Sequence, residues 1–238
     1  MRDLLTVVPN AYTGEAVDIG CGPGNSTEVL SAKLPGARVS GIDSSADMIE
    51  AARRRLPQLT FTALDILKWK QPGPFDVILA NAVFQWVPDH AALFPALTLK
   101  LAPGGALAVQ MPDNLDGPAH RLMREIAAAG PWAAKLAGAA AARSALNDAG
   151  WYYDLLRPLA ARVELWRTTY YHPLRGGAAA VVEWFKGSGL RPFLQPLDAA
   201  ESAAYLERYT DAVARAFPAH ADGSVLLPFP RLFMVAIR

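Results

Sequence analysis

The feature that most constrains the fold is a glycine loop directly after a short apolar segment, in the sequence VDIGCGPGNST at 17–27. Glycine occupies alternate positions, at Gly20, Gly22 and Gly24. A glycine lets the backbone turn with a positive φ and lets a ligand lie directly against the main chain. A helix predicted from Ser26 would point its free N–H groups at the same place. Because a simple turn needs one glycine rather than three, we predict a loop that binds an anionic or carboxylate-bearing cofactor.

Strand-like and helix-like segments alternate through the first half of the chain. Apolar runs predict strands at Ala16–Ile19, Arg38–Ile42, Leu59–Ala63, Phe75–Ala80 and Gly105–Met111. Helical spacing predicts helices at Ser26–Leu34, Ser45–Leu56 and Ala91–Lys100, and a turn at Ala102–Gly105. The short connections between these segments indicate an α/β fold with an open, mostly parallel sheet and helices on both faces.

The second half of the chain has a different organisation. It is predicted to contain Ala-rich helices with loops at Asp113–Gly150, a helix at Tyr152–Leu159, a strand at Arg162–Tyr171, helices at 178–217 and a last strand at Ser224–Ile237. We interpret the helical segment as a lid inserted before the last strand. The chain is thus predicted to be a single domain, 1–238, with a cofactor-binding half at 1–112, an acceptor-side half at 113–238 and a lid at about 178–217.

Composition excludes several classes of protein. The net charge of +1 gives no sign of a nucleic-acid or anionic-membrane partner. The single cysteine, Cys21, excludes a disulfide framework and a cysteine-based metal site, and the four histidines lack metal-ligand spacing. No apolar run reaches the ~18 residues of a membrane span. We expect a soluble cytoplasmic protein without a metal, as a monomer or weak homodimer.

The identity of the cofactor follows from the residues around the loop. A dinucleotide fingerprint requires a third glycine where this chain has Asn25, and a pyrophosphate gains nothing from the neighbouring Asp18. S-adenosylmethionine carries an ammonium, a carboxylate and a sulfonium, so it needs an acid and backbone N–H groups together. Asp43 follows the second strand, where a carboxylate can bind both ribose hydroxyls. Asp65 follows the third strand and could accept from the adenine amino group, and Asn81 follows the fourth.

As a set, these segments resemble the class I S-adenosylmethionine-dependent methyltransferases. The residues that carry the resemblance are VDIGCGPGNS at 17–26, GIDSSADMI at 41–49, ALDI at 63–66, ANAVFQWVPD at 80–89 and LAPGGALAVQMP at 101–112. The resemblance implies a Rossmann-like, seven-stranded sheet whose last strand is antiparallel. It also implies that Cys21, Ser44, Met48 and Ile66 belong to the cofactor site.

A closer resemblance, to the trans-aconitate 2-methyltransferases, extends along the second half. It rests on MPDN at 111–114, WRTTYYH at 166–172, GLRPFLQ at 189–195 and LPFPRLFMVA at 227–236. The resemblance implies a small tricarboxylate acceptor, a monomethyl ester product and S-adenosylhomocysteine. A carboxylate with a pKa near ~4 is already ionised at pH 7, so it needs positioning and cationic partners rather than a general base.

The motifs supply six candidates for the acceptor side and the transferred methyl group. They are Gln85, Trp86, Tyr170, His172, Arg191 and Arg231. Strand alternation lets only one of Tyr170 and Tyr171 face a given site. Other interpretations are open for several of the six: Trp86 as a core residue, His172 as a loop histidine, Arg191 as a surface arginine and Arg231 as a strand-edge arginine.

Three alternative functions stay open at this point. The acceptor could be another small acid, hydroxyl or amine with the same cofactor. The protein could bind S-adenosylmethionine without catalysis, since the first strand begins about 16 residues from Met1 whereas relatives usually carry a further N-terminal segment that closes over the cofactor. A nicotinamide-dependent oxidoreductase is disfavoured by Asn25 and Asp18.

Overall fold

The structure is a computed structural model that describes residues 1–9, 12–141, 143 and 145–238. Its seven strands are β1 (Glu15–Ile19), β2 (Arg38–Asp43), β3 (Thr60–Ala63), β4 (Phe75–Asn81), β5 (Leu101–Pro112), β6 (Arg162–Arg175) and β7 (Ser224–Ile237). They form one sheet in the order β3-β2-β1-β4-β5-β7-β6. This is the predicted seven-stranded arrangement.

Helices connect most of these strands. They are α1 (Arg2–Val7), α2 (Asn25–Lys33), α3 (Ala46–Arg55), α4 (His90–Leu99), α5 (Pro118–Ala129), α6 (Ala133–Leu136), α7 (Ala149–Leu156), α8 (Gly177–Lys186), α9 (Arg191–Leu194) and α10 (Ala199–Ala216). The predicted helical insertion before the last strand corresponds to α8, α9 and α10. The last of these begins with a capping box between Asp198 and Glu201, which satisfies two backbone N–H groups at its N-terminus.

Strand direction follows from the pairing. Strands β3, β2, β1, β4 and β5 pair parallel with their neighbours, which brings their carboxyl ends to one edge. Between β5 and β7 the Gly104 N–H donates to the Arg238 carbonyl, and the Asp113 N–H donates to the Pro230 carbonyl. Residue numbers therefore rise along β5 as they fall along β7, so the last strand is antiparallel as predicted.

The predicted turn at Ala102–Gly105 is wrong, because these residues lie within β5. The pairing with β4 moves from Phe75–Leu101 to Val77–Ala106, so β5 contains extra residues as a bulge. Gly104 has a φ of 78° within this bulge. The Pro-Gly-Gly signal correctly marks irregular backbone, and the strand continues on both sides of it.

Three other segments differ from their sequence interpretation. The strand β6 continues to Arg175, beyond the predicted end at Tyr171. The helix α1 precedes the first strand, where the sequence suggested no element, and it buries Leu4 and Leu5. The helix predicted at Tyr152–Leu159 begins earlier, at Ala149, and its last residues form a 3-10 turn at Arg157–Leu159. Positions 142 and 144 of the predicted Ala-rich segment lie outside the described residues.

The chain divides into two compact units. The first unit comprises Met1–Met111, Asn147–Thr168 and Leu232–Arg238, and the second comprises Pro112–Leu146 and Thr169–Arg231. In the first unit, the central strands β1 and β4 are almost completely buried. In the second unit, Trp132, Tyr205 and Tyr209 lie in a core built mainly from α5, α8 and α10. The hydroxyls of both tyrosines donate to backbone carbonyls of α5, at Met123 and Ala119.

Within the part of the chain that the structure describes, no helix has the length and hydrophobicity that a bilayer crossing requires.

Candidate functional site

The glycine loop between β1 and α2 uses glycine at each of its three positions. Gly20, Gly22 and Gly24 have φ values of 68°, 53° and 89°, in the left-handed region that L side chains rarely adopt. A Cβ on Gly20 would lie 2.5 Å from the side chain of Val83, whereas a Cβ on Gly22 would meet nothing within 4 Å. Gly20 is therefore required by close packing, and Gly22 leaves open space beside the main chain.

Asp43, at the end of β2, holds the glycine loop in place. Its Oδ2 accepts a hydrogen bond from the Gly22 N–H at 2.9 Å, and its Oδ1 accepts from the Ser45 N–H at 2.9 Å. Ser45 in turn caps α3, with its hydroxyl accepting from the Met48 N–H. Each carboxylate oxygen retains a second lone-pair direction, so Asp43 can still accept from a ligand hydroxyl.

Asp18 lies in β1, just before the glycine loop, and is fully buried. Its Oδ2 accepts from the hydroxyls of Ser26 and Thr27, both at 2.7 Å, which links β1 to the first turn of α2. Its Oδ1 is buried without a hydrogen-bond partner among the described residues. Burial raises the pKa of this carboxyl to about 7, although the two hydroxyl donors act in the opposite direction.

A cavity of about 470 Å³ lies in the first unit, at the carboxyl ends of the parallel strands. It is lined by Ile19, Gly20, Ile42, Asp43, Ser44, Leu64, Asp65, Ile66, Leu67, Ala82, Val83, Trp86, Val87 and Pro88. Six residues predicted for the site therefore line one cavity: Gly20, Asp43, Ser44, Asp65, Ile66 and Trp86. Asp65 also caps a 3-10 turn, with its Oδ1 accepting from the Leu67 N–H at 3.0 Å.

Other predicted cofactor residues do not line this cavity. Cys21 packs with α3 in a small core cluster that includes Ile49 and Phe61, and burial raises its pKa to about 12. Met48 is on the surface of α3, with 45% of its area exposed. Asn81 has a buried Oδ1 without a hydrogen-bond partner in the described part of the chain.

Gln85 and Trp86 lie in a 3-10 turn after β4. Gln85 is buried and its Nε2 donates to the Ala82 carbonyl at 2.7 Å, so it supports the loop. Trp86 is 45% exposed, which makes the interpretation of Trp86 as a core residue wrong. Of the two, only Trp86 lines the cavity.

Three predicted acceptor residues come together in the second unit, on the half-buried face of β6 and the adjacent β7. The guanidinium carbon of Arg231 lies 5.5 Å from the ring centre of Tyr170 and 4.9 Å from that of Phe229. The ring of His172 lies 5.8 Å from Phe229 and 4.7 Å from Trp184 of α8. We name Tyr170, His172, Trp184, Phe229 and Arg231 the Arg231 cluster.

The environment of this cluster favours an anionic ligand. His172 Nε2 is buried without a hydrogen-bond partner among the described residues. Burial and then the positive charge of Arg231 lower the pKa of His172 below 6.5, so its ring is neutral at pH 7. Burial also lowers the pKa of Arg231. A carboxylate would stabilise the charge of this partly buried guanidinium and accept a hydrogen bond from a neutral imidazole N–H.

Arg191 and Tyr171 are not part of the Arg231 cluster. Arg191 is the first residue of α9 and is exposed. Tyr171 is 63% exposed and, by strand alternation, points to the opposite face of β6 from Tyr170 and His172.

The sequence did not predict the apolar residues of the cavity in the first unit or of the Arg231 cluster in the second. Val83 and Val87 line the cavity in the first unit, and they flank the predicted Gln85 and Trp86 in the segment AVFQWVP. Trp184 and Phe229 surround His172 in the second unit. Phe229 lies in the quoted LPFPRLFMVA segment, whereas no motif contains Trp184. Among the described residues, no group of three or more His, Cys, Asp or Glu side chains could hold a metal ion.

Comparison with known proteins identifies the family. A family model described as "Methyltransferase domain" matches residues 17–107. A trans-aconitate 2-methyltransferase of Rhodopseudomonas palustris (strain BisB5) is 55% identical over 237 residues, covering 100% of this chain and 92% of the relative. The chain belongs to the trans-aconitate 2-methyltransferase family. The predicted resemblance is thereby confirmed, and the match with this family extends beyond the glycine loop to the whole chain.

Solved structures support the fold of this family member. The YcgJ protein of Bacillus subtilis superposes with a TM-score of 0.63 at 12% identity, covering 100% of this chain and 97% of that protein. Phosphoethanolamine N-methyltransferase 2 of Haemonchus contortus, solved with phosphomonomethylethanolamine and S-adenosylhomocysteine, gives 0.58 at 15% identity, covering 99% of this chain and 51% of that protein. At these identities the likeness shows the Rossmann-like methyltransferase fold alone.

Proposed function

We propose that this protein transfers the methyl group of S-adenosylmethionine to one carboxylate of trans-aconitate. A carbon–oxygen bond forms as the carbon–sulfur bond breaks, giving a monomethyl ester and S-adenosylhomocysteine. The observation that carries the proposal is the full-length match, at 55% identity, to a trans-aconitate 2-methyltransferase. The acid-lined cavity beside the glycine loop supports it.

The residues of the first unit fit S-adenosylmethionine, which supplies, when bound, a methyl group on a positively charged sulfur. Asp18 is fully buried and does not line the cavity, so it would favour a cationic group through its charge alone. The open space at Gly22 leaves room for a ligand against the main chain. Asp43 would accept from the ribose hydroxyls and Asp65 from the adenine amino group. Ser44, Ile66 and Trp86 would contact the ligand from the wall of the cavity.

Four further residues would support the site without lining the cavity. We propose that they hold the loop and strands around the ligand: Cys21, Gly24, Met48 and Asn81.

For the acceptor we propose the residues of the Arg231 cluster. The carboxylates of trans-aconitate are ionised at neutral pH, so the protein needs to bind and orient them rather than remove a proton. Arg231, Tyr170 and the neutral His172 would donate to the carboxylates that are not methylated. Trp184 and Phe229 contribute apolar surface beside His172 and Arg231, which would strengthen the interaction of a carboxylate with Arg231 once a ligand covers them. Gln85 would hold the loop that carries Trp86, and Arg191 would add a cation from α9.

We further infer a cytoplasmic protein without a nucleic-acid partner, as a monomer or weak homodimer, with residues 1–112 serving the cofactor, 113–238 the acceptor and 178–217 a lid. The net charge of +1 supports the absence of a nucleic-acid partner. Size-exclusion chromatography with light scattering tests the oligomeric state.

A turnover assay tests the function. Transfer from S-adenosylmethionine with a radiolabelled methyl group would be measured for trans-aconitate beside citrate, cis-aconitate and isocitrate. We expect transfer selective for trans-aconitate, because its trans double bond fixes its carboxylates in directions that neither cis-aconitate nor the saturated acids share. Selective transfer to another acid would contradict trans-aconitate as the acceptor but would leave the proposed methyl transfer to a carboxylate in place. Cofactor binding without transfer to any acid would contradict the proposed enzyme and support a binding protein.

A further inference from the structure

A second cavity lies in the second unit, on the opposite face of β6 from the Arg231 cluster. Its volume is about 320 Å³, within the range of small-molecule sites. Thr169 and Tyr171 of β6 line it, and they alternate with Tyr170 and His172 along the strand. Strand alternation therefore separates this cavity from the residues proposed for the acceptor. Most of its remaining wall is apolar and includes Phe185 and Phe217.

Two buried polar side chains in this wall have unused hydrogen-bonding groups. His120 of α5 is 7% exposed, and neither ring nitrogen has a hydrogen-bond partner among the residues described. Asn114 is 5% exposed; its Oδ1 accepts from the Arg143 guanidinium at 3.0 Å, and its Nδ2 has no partner in the described part of the chain. These two side chains are not among those with a fully buried, unpartnered atom, so their free groups keep access to the cavity and can bond a polar ligand there.

The positive charges near His120 indicate that the ligand is an anion. His120 also lines a smaller adjoining cavity of about 20 Å³, together with Arg124 and Arg143. Burial and then the charges of Arg143 and Arg124 lower the pKa of His120 to about 4, so the ring stays neutral in a positive field. Each arginine has an acid nearby: Asp116 lies 3.9 Å from Arg124, and Asp113 acts to raise the pKa of Arg143. At His120 the arginines prevail, because their charges lower the pKa of its ring.

The two arginines are also fixed in position. Arg143 donates to the Pro112 carbonyl in addition to Asn114, and Arg124 donates to the Leu115 carbonyl at 2.8 Å. A Cβ on Gly189 would lie 2.9 Å from His120 Nε2, so the present position of the ring depends on the small size of this residue. The site is therefore built in advance, which lowers the entropy cost of binding.

We propose that this cavity is a second ligand site, which binds a small carboxylate with an apolar body. The carboxylate accepts hydrogen bonds from His120 and Asn114 and interacts with the charges of Arg124 and Arg143, while the apolar body packs on Phe185 and Phe217. A tricarboxylate fits poorly, because the cations lie on one side of the cavity only. This ligand is distinct from the methyl acceptor.

The test uses benzoate as the probe and the imidazole NMR signals of the full chain, which has four histidines. We expect benzoate to shift the His120 signal saturably and to raise its pKa, leaving the His172 signal unchanged. Benzyl alcohol, of the same shape without the charge, should bind about tenfold more weakly. Arg124→Gln should also weaken benzoate binding about tenfold. The matched control, Arg121→Gln, removes an exposed arginine of the same helix and should leave binding unchanged.

Three results would overturn the proposal. Absence of a saturable His120 shift at millimolar benzoate would show that the cavity binds no such ligand. Equal affinity for benzyl alcohol and benzoate would show an apolar cavity without anion selectivity. Displacement of benzoate by trans-aconitate, with a shift at His120 and none at His172, would make this cavity the acceptor site. The turnover assay is independent of all three results, so the two proposals fail separately.

Discussion

The polar groups proposed for the cofactor and for the acceptor are held in different ways. In the first unit, Asp43 and Asp65 each accept from a backbone N–H two residues away, at Ser45 and Leu67, and Asp43 also accepts from the N–H of Gly22 in the glycine loop. In the second unit, Arg231 and His172 are surrounded by aromatic rings that come from β6, β7 and α8.

This difference shows when a short sequence motif is enough to predict the role of a residue. An acid that accepts from a neighbouring N–H needs only the local turn, so its role can be seen in a short segment. A guanidinium held between rings depends on residues such as Tyr170 and Phe229, which meet only when distant strands pair. The largest effects are therefore expected in the local loop, and smaller, more selective effects in the Arg231 cluster.

The largest expected effect comes from Gly20→Ala. The new Cβ would lie 2.5 Å from the Val83 side chain, at a φ of 68°. Steric overlap and left-handed strain together should lower the free energy of unfolding by about 3–5 kcal/mol. The matched control is Gly22→Ala, which has positive φ but open space, and should cost about 1 kcal/mol. Urea unfolding measures both, and equal losses would contradict the packing role of Gly20.

The next effect is the dependence of stability on pH through Asp18. Burial raises its pKa from 3.8 to about 7, so between these values the folded state holds a proton that the unfolded state releases. Stability contributed by this group is present below pH 3.8 and is lost as the pH rises to about 7, by roughly 4 kcal/mol at most.

Comparison of the wild type with Asp18→Asn isolates that contribution, since the opposing titration of His120 is common to both. The stability of the wild type relative to the variant should fall between about pH 4 and about pH 7 in urea unfolding experiments. A constant difference across this range would show that Asp18 keeps an ordinary pKa.

An effect on the binding of the acceptor alone is expected for Arg231→Gln. If the Arg231 cluster binds the acceptor, the KM for trans-aconitate should rise about tenfold or more, with the KM for S-adenosylmethionine unchanged. Arg231→Lys should recover little, because an ammonium lacks the planar fork that binds a carboxylate through two hydrogen bonds. An unchanged KM for trans-aconitate in both variants would remove Arg231 from the acceptor site and leave it a structural residue.

The smallest effect is expected for Arg191→Ala. Arg191 is exposed on α9, and the interaction of a solvated charge with a ligand is weak. The KM for trans-aconitate should change by less than about threefold. A tenfold rise would show that α9 supplies a substrate contact as strong as that of Arg231, and would reverse the ranking of these two arginines.

The sequence alone determined the parallel half of the sheet, the glycine loop and the acids that follow β2 and β3. These depend on apolar runs, on glycines that permit positive φ and on hydrogen bonds between near neighbours. It also determined the last strand, whose bounds match Ser224–Ile237. Because strand alternation is a local rule, it further indicated that Tyr170 and Tyr171 would face opposite sides.

The contacts that each side chain makes in the folded protein could be seen only in the tertiary structure. It showed that Cys21 packs into the core behind the loop and that Trp86 is exposed at a cavity. It also placed Trp184 against His172, and brought His120 together with Arg124 and Arg143. Hydrophobic periodicity identifies which side chains are buried, but it carries no information on their partners. Those partners are set by the packing of segments far apart in the chain, which no local pattern encodes.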